Sequence, residues 1–216
     1  MQSPADHVVL LGDSIFDNGV YVPGHPDVVV QVRSYLPPGA RATLLAVDGA
    51  TTSDVPRQLA RLPSDATLLI VSAGGNDALG EAHLLGEPCT TVGEAVARLS
   101  EAQRRFATAY GLMVEAVLTA GVPTALCTIY DANFPPPEGE IITAALSLFN
   151  DAITRAAFSR GLPLIDLRLM FSDPGDYANP IEPSARGGDK LARAIAALAG
   201  GEMQRSSQVV INGEFR

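Results

Sequence analysis

At 216 residues, 47% hydrophobic and 18% charged, the chain has enough apolar material for one well-buried core, and no shift in composition marks a second domain. Its formal net charge of −9 disfavours phosphate backbones and anionic membrane surfaces as partners, which argues against a nucleic-acid-binding role. Two cysteines, Cys89 and Cys127, are too few for a disulfide framework in a chain of this size and are expected to stay reduced. The segment Met1 to His7 lacks the basic and long apolar regions of a signal peptide, and no apolar run approaches the length that spans a bilayer. The expected setting is therefore the cytoplasm.

In chain order, Val8 to Leu11 is a short apolar run that reads as a buried strand closed by the turn Gly12-Asp13-Ser14. Residues 16–26, with Tyr21, Pro23, Gly24 and Pro26, read as a loop, and an amphipathic helix over 27–36 is capped by Asp27. Ala42 to Val47 is a second strand, followed by a helix over Val55 to Leu62 with Pro56 in its first turn. Ala66 to Ser72 is a continuous apolar run suited to a central parallel strand and ends in Ala73-Gly74-Gly75-Asn76-Asp77. A looser segment covers 78–92, and a long helix runs from Gly93 to Ala120 with Gly121 as its stop. Pro123 to Ile129 is a fourth strand, Ile141 to Ser159 a helix, Pro163 to Leu167 a fifth strand carrying Asp166, and Lys190 to Leu198 the last helix. An irregular loop covers 172–188, and in the tail from Gly200 to Arg216 the run Gln208 to Ile211 suggests an added edge strand. Alternating strands and helices predict a three-layer α/β/α sandwich whose mainly parallel five-stranded sheet has the flavodoxin-like order 2-1-3-4-5, in a single domain over 1–216.

The first three strands end in small polar clusters: Gly12-Asp13-Ser14, Asp48-Gly49, and Gly74-Gly75-Asn76-Asp77. In a parallel sheet these carboxyl ends lie side by side, where open α/β sheets bind ligands. Taken alone, Asp13 and Ser14 are turn and cap residues. Taken together, the clusters offer a hydroxyl, backbone N–H groups and a carboxamide, which are the parts of a nucleophile and an oxyanion hole.

Gly12-Asp13-Ser14, Gly49 and Gly74-Gly75-Asn76-Asp77, in that order, resemble the GDSL-type or SGNH hydrolase family of esterases and lipases. The resemblance implies Ser14 as nucleophile, with its own N–H, the N–H of Gly49 and the side chain of Asn76 as oxyanion hole. It also implies small-molecule carboxylic ester substrates and no metal or organic cofactor. The family's fourth block, an Asp-x-x-His before the last helix, is altered here. One register places Glu182 in the histidine position and Asn179 in the aspartate position, with Pro183, Ser184, Gly187 and Leu191-Ala192 matching downstream. The other uses Asp176 and puts Asn179 in the histidine position. Neither contains a histidine, and the chain has only His7, His25 and His83.

His7 precedes the first strand and is expected at its far end, whereas His25 and His83 are placed to border the cleft or to be ordinary loop histidines. Glu182 as base is the sharper expectation, because partial burial raises a carboxyl toward a useful value. The plainer role is a helix cap or a partner for Arg186. Asp17 and Asn18 read as helix caps, Asp77 as an anchor for its own loop, and Arg57 as part of a solvated helix face. Tyr130, Asn133 and Phe134, with Pro135 to Pro137, are placed to shape the acyl or alcohol pocket. The two functional readings are an ester hydrolase acting through an acyl-enzyme on Ser14 and a weak or inactive relative that binds an ester, acyl or glycan ligand. A nucleotide or phosphate binder is disfavoured by Asp13, Asp17, Asp48 and Asp77 and by the lack of a glycine-rich phosphate loop.

Overall fold

Strand β1, His7–Gly12, is buried along its whole length, because both of its faces and both of its edges are covered. The computed structural model describes residues 5–201, so the edge strand expected at 208–211 lies outside the described residues. Five parallel strands form one sheet in the order β2-β1-β3-β4-β5: β2 is Arg41–Leu44, β3 Leu68–Ser72, β4 Thr124–Cys127 and β5 Leu164–Ile165. Helices α1, Val28–Tyr35, and α6, Ala185–Ala199, cover one face. Helices α2, Val55–Leu59, α4, Val92–Leu118, and α5, Glu138–Phe158, cover the other. Alternate residues of β1 feed the two cores, Val8 and Leu10 into one and Val9 and Leu11 into the other, as the two-residue period of a strand requires. The predicted sandwich and strand order are those observed.

The turn after β1 depends on Gly12. Its φ is +131°, and a Cβ there would lie 1.6 Å from the Ser72 carbonyl oxygen of β3. Buried Gln58 of α2 clamps the same residue, accepting from its N–H at 2.8 Å and donating to its carbonyl at 2.7 Å. Gly12→Ala is therefore expected to destabilise the protein by at least about 4 kcal/mol, because backbone must move in a closed core; chemical denaturation measures this.

Several element boundaries differ from expectation. Gly74, at φ +117°, turns the chain so sharply that a short helix α3, Gly75–Gly80, starts inside the Gly-Gly-Asn-Asp block, and a 3₁₀ turn over Ala82–Gly86 follows where a loose segment was predicted. Helix α2 ends at Leu59 rather than Leu62, and β2 ends at Leu44, although Leu45, Ala46 and Val47 still donate to the Leu10 and Gly12 carbonyls. Helix α5 begins at Glu138, three residues early. Helix α6 begins at Ala185 rather than Lys190, capped by Ser184, whose side chain accepts from the Gly187 N–H. Its two glycines suggest a loop in sequence but are packing residues: a Cβ on Gly187 would meet the Asp176 carbonyl oxygen at 2.2 Å, and one on Gly188 the Gln31 Oε1 at 2.7 Å. The predicted irregular loop contains a hairpin, β6 Tyr177–Asn179 with β7 Glu182–Pro183.

By length and mean hydropathy (1.2), α5 would also fit a bilayer, contrary to the expectation from contiguous apolar runs. Its polar residues are mostly small, so the window stays apolar without being continuous. In the fold α5 packs on α4 and β4, burying Phe149, Ile153 and Ala157. Phe106 of α4 lies against Phe149, and Gln103 donates to the Leu148 carbonyl. Contacts that advance together along both helices, from Gln103 with Leu148 to Glu115 with Arg160 just past α5, show that the two run parallel.

Candidate active site

Ser14 follows the Gly12 turn with no helix behind it. The Asp13 carbonyl accepts from the Phe16 and Asp17 N–H groups and the Asp13 carboxylate from the Ile15 N–H, closing a single turn around the serine. Ser14 Oγ donates to Glu182 Oε1 at 3.2 Å, across 168 residues of sequence. Both side chains are buried, and Glu182 Oε2 is enclosed without a hydrogen-bond partner among the described residues.

Glu182 is held there by its hairpin. The Ser184 N–H donates to the Asp176 carbonyl at 2.8 Å, the Asn133 N–H donates to the Pro180 carbonyl at 2.8 Å, and the Tyr130 hydroxyl donates to the Ile181 carbonyl. Tyr130 is itself fixed by stacking on Phe171, with ring centroids 4.9 Å apart. Asn18 accepts from the Val28 N–H at the start of α1 and directs its amide to the Pro183 carbonyl at 3.5 Å. Asp27, not Asn18, caps α1, and Asn18 instead joins the start of that helix to the hairpin.

The second and third clusters are bonded to each other. Asn76 donates one amide hydrogen to the Ala50 carbonyl at 3.0 Å, and its second amide hydrogen has no partner among the described residues. Asp77 accepts from the Thr52 N–H at 2.9 Å and the Thr52 hydroxyl at 2.7 Å, so it anchors the neighbouring loop rather than its own. Between these contacts Gly49 adopts φ +77° and is exposed. Asp17 accepts from the Asp48 N–H at 3.0 Å, tying the Ser14 turn to the Gly49 loop instead of capping a helix. Arg57 is exposed and paired with Asp54, as a solvated face would have it.

Carboxyls crowd this edge. Burial raises Glu182 to about 6, against the lowering effect of the Ser14 hydrogen bond and with a further rise from the Asp48 charge. Burial also raises Asp13 to about 7, with Glu182 and Asp77 adding to the rise. The Tyr21 hydroxyl, donating to Asp48 Oδ2 at 2.9 Å, is pushed to about 12.

Other candidates fall elsewhere. Asn179 does not orient Glu182: its side chain is exposed and accepts from the Ile181 N–H in the hairpin turn. Asp176 does not reach Ser14 either. Fully buried behind the hairpin, it accepts from the Ser172 and Asp173 N–H groups and from Lys190 Nζ at 2.6 Å. Glu182 neither caps α6 nor pairs with Arg186, which joins Asp173 and Asp176. His25 and His83 are exposed, and neither lines the cleft; a ring nitrogen of His83 lies 3.2 Å from the Gly80 carbonyl. His7 sits at the far end of β1, between Asp65 and Thr43. Among the described residues no cluster of His, Cys, Asp or Glu is arranged to hold a metal.

From Ser14, Asn76 and Glu182 an apolar cavity of about 300 Å³ extends between α3, α4 and α5. Tyr130 and Phe134 line it as expected, whereas Asn133 supports the hairpin. Leu99, Ala102, Ala145, Leu146 and Phe149 were not foreseen as lining residues, since their spacing on α4 and α5 reads as ordinary core. Gln58 was missed as well, because a glutamine on a helix carries no local signal of a buried clamp.

No curated protein sequence matches the chain significantly. Several solved structures share its fold. An extracellular lipase from Streptomyces rimosus is 20% identical, with a TM-score of 0.66 over 90% of this chain and 100% of that one. A carbohydrate acetylesterase from Sinorhizobium meliloti is 18% identical, with a TM-score of 0.64 over 90% and 98%. An aryl esterase from M. smegmatis is 17% identical, with a TM-score of 0.64 over 92% and 100%. The sequence itself matches the family model for GDSL-like lipase/acylhydrolases over residues 10–190, from the strand before Ser14 to the helix after Glu182, and on that match the chain belongs to the GDSL-like lipase/acylhydrolase family.

Proposed function

We propose that the protein hydrolyses carboxylic esters through an acyl-enzyme on Ser14, with Glu182 as the general base in the position the family gives to histidine. The observation that carries this reading is the buried hydrogen bond from Ser14 Oγ to Glu182 Oε1, with the second carboxylate oxygen unpartnered and no histidine lining the cavity among the described residues. A carboxylate at its ordinary value is a weak base at neutral pH; one raised to about 6 is better matched to the serine proton and still ionised.

In the first half-reaction Glu182 takes the Ser14 proton as Oγ attacks the ester carbonyl carbon. Negative charge gathers on the former carbonyl oxygen, and the N–H groups of Ser14 and Gly49 and the free amide hydrogen of Asn76 are the donors for it. Collapse returns that proton from Glu182 to the departing alcohol oxygen. In the second half-reaction water loses a proton to Glu182, attacks the acyl carbon and releases the carboxylic acid with Ser14 restored. The hydrogen bonds from Asn76 to Ala50 and from Thr52 to Asp77 hold the donors in place before substrate arrives.

A fluorophosphonate probe tests this reading. Stoichiometric labelling on the peptide containing Ser14, together with a burst of p-nitrophenol from p-nitrophenyl butyrate, is the expected result. Absence of both between pH 5 and 9 supports the other reading, a family member that binds an ester, acyl or glycan ligand without turning it over.

A further inference from the structure

We infer that the substrate is a medium-chain acyl ester of an alcohol that carries no negative charge, its acyl chain lying in the cavity between α4 and α5; this rests on the Ser14 reading above. The cavity begins at Ser14 and is walled mainly by carbon, with Ala78 and Leu79 of α3, Leu99 and Ala102 of α4 and Ala145 and Leu146 of α5, although Glu81 and Glu138 also border it. It exists because α4 and α5, packed closely at Phe106 and Phe149, carry alanines at Ala102 and Ala145 one turn earlier. A volume of about 300 Å³, at roughly 30 Å³ for each water-sized group, accommodates about eight to ten chain atoms. Buried among side chains with few polar atoms, such a chain is held by area alone.

The acyl portion belongs there because it stays attached to Ser14 through the second half-reaction, whereas the alcohol must leave and be replaced by water. Outside the cavity lining, the Ser14 turn is joined through Asp17 to the exposed loop at Asp48, which Tyr21 also meets, and that border is polar. Its carboxylates are Asp17 and Asp48, the latter also acting on Glu182, and among the described residues no lysine or arginine lines the cavity that meets it at Ser14. An alcohol carrying phosphate would meet only repulsion at that face.

Initial rates over p-nitrophenyl acetate, butyrate, octanoate, decanoate and palmitate test the acyl assignment. The expected kcat/KM rises about fourfold per methylene up to octanoate or decanoate, the increment for a buried CH₂ group, and falls at palmitate. Ala145→Phe, which fills the cavity, is expected to lower the octanoate-to-acetate preference at least about tenfold; Leu146→Ala is expected to move the optimum to longer chains. 1-Octanoylglycerol is expected to be turned over at least about ten times better than 1-octanoylglycerol 3-phosphate. A flat chain-length profile with normal Ser14 labelling would overturn this inference and leave the esterase reading standing. So would a length response to the alcohol part of acetate esters instead of the acyl part, or equal use of the phosphorylated ester. Should no ester be hydrolysed at all, calorimetric titration with 1-decanol, which carries no charge to set against Glu182, still decides: saturable binding weakened by Ala145→Phe supports the cavity assignment, and no binding rejects it.

Discussion

Replacing Ser14 with alanine is expected to lower kcat/KM for p-nitrophenyl esters at least about 10³-fold and to abolish the burst, because the remaining oxyanion donors can only assist direct attack by water. The same change should disturb the site in a second way. Ser14 is the donor to Glu182 Oε1, and its hydrogen bond works against the burial that raises that carboxyl. Without it a buried carboxylate has neither oxygen hydrogen-bonded, so Glu182 should titrate above 6 in Ser14→Ala, and stability at pH 8 should fall by about 1–2 kcal/mol. NMR titration of the Glu182 side chain and denaturant unfolding at pH 8 read these effects.

Glu182→Gln is the second large effect. Glutamine keeps the shape of glutamate and can still accept from Ser14 Oγ, but it cannot take the proton, so kcat should fall about 10²- to 10⁴-fold with little change in KM. Stability should move the opposite way. The Glu182 carboxyl is raised above its ordinary 4.5 to about 6 in the folded protein, so the folded state binds this proton more tightly than the unfolded chain. Its contribution is complete below pH 4.5 and is lost as pH rises through 6, which costs the wild type on the order of 1–2 kcal/mol by pH 8. Glu182→Gln carries no such titration, and removing the charge also relieves Asp13. Relative to the wild type, the variant should therefore become more stable between pH 5 and pH 8. Such a combination of lost rate and gained stability marks a group held at a cost for chemistry rather than for folding.

The strand order was readable from the chain because each central strand is a continuous apolar run followed by a small polar cluster, a pattern that depends only on neighbours in sequence. The positions of Ser14, Gly49 and Asn76 at one edge of the sheet follow from the same pattern, since all three come after strand ends. What the chain did not disclose depends on partners far away. Gly187 and Gly188 signal a loop by composition, yet they are helical residues that let α6 approach Asp176 and Gln31. Asn179 lies three residues before Glu182, the spacing of an orienting group, but the turn between β6 and β7 sends its side chain to the Ile181 N–H instead. Asp176, the acid of the other register, is used by the fold: it gathers two backbone N–H groups and Lys190 behind the hairpin that presents Glu182. The cavity was hidden because residues lining a hole and residues filling a core share one periodicity, and only the small side chains at Ala102 and Ala145 make the difference.

The rate at which a fluorophosphonate labels Ser14, followed by mass spectrometry from pH 4 to pH 9 in wild type and in Glu182→Gln, tests most directly whether this serine is activated by a carboxylate. In the wild type the rate should rise through an inflection near pH 6 and then level off; in Glu182→Gln it should be at least about 10²-fold slower at pH 8 and show no inflection. Equal labelling of the two proteins at pH 8, with the same pH profile, would contradict it.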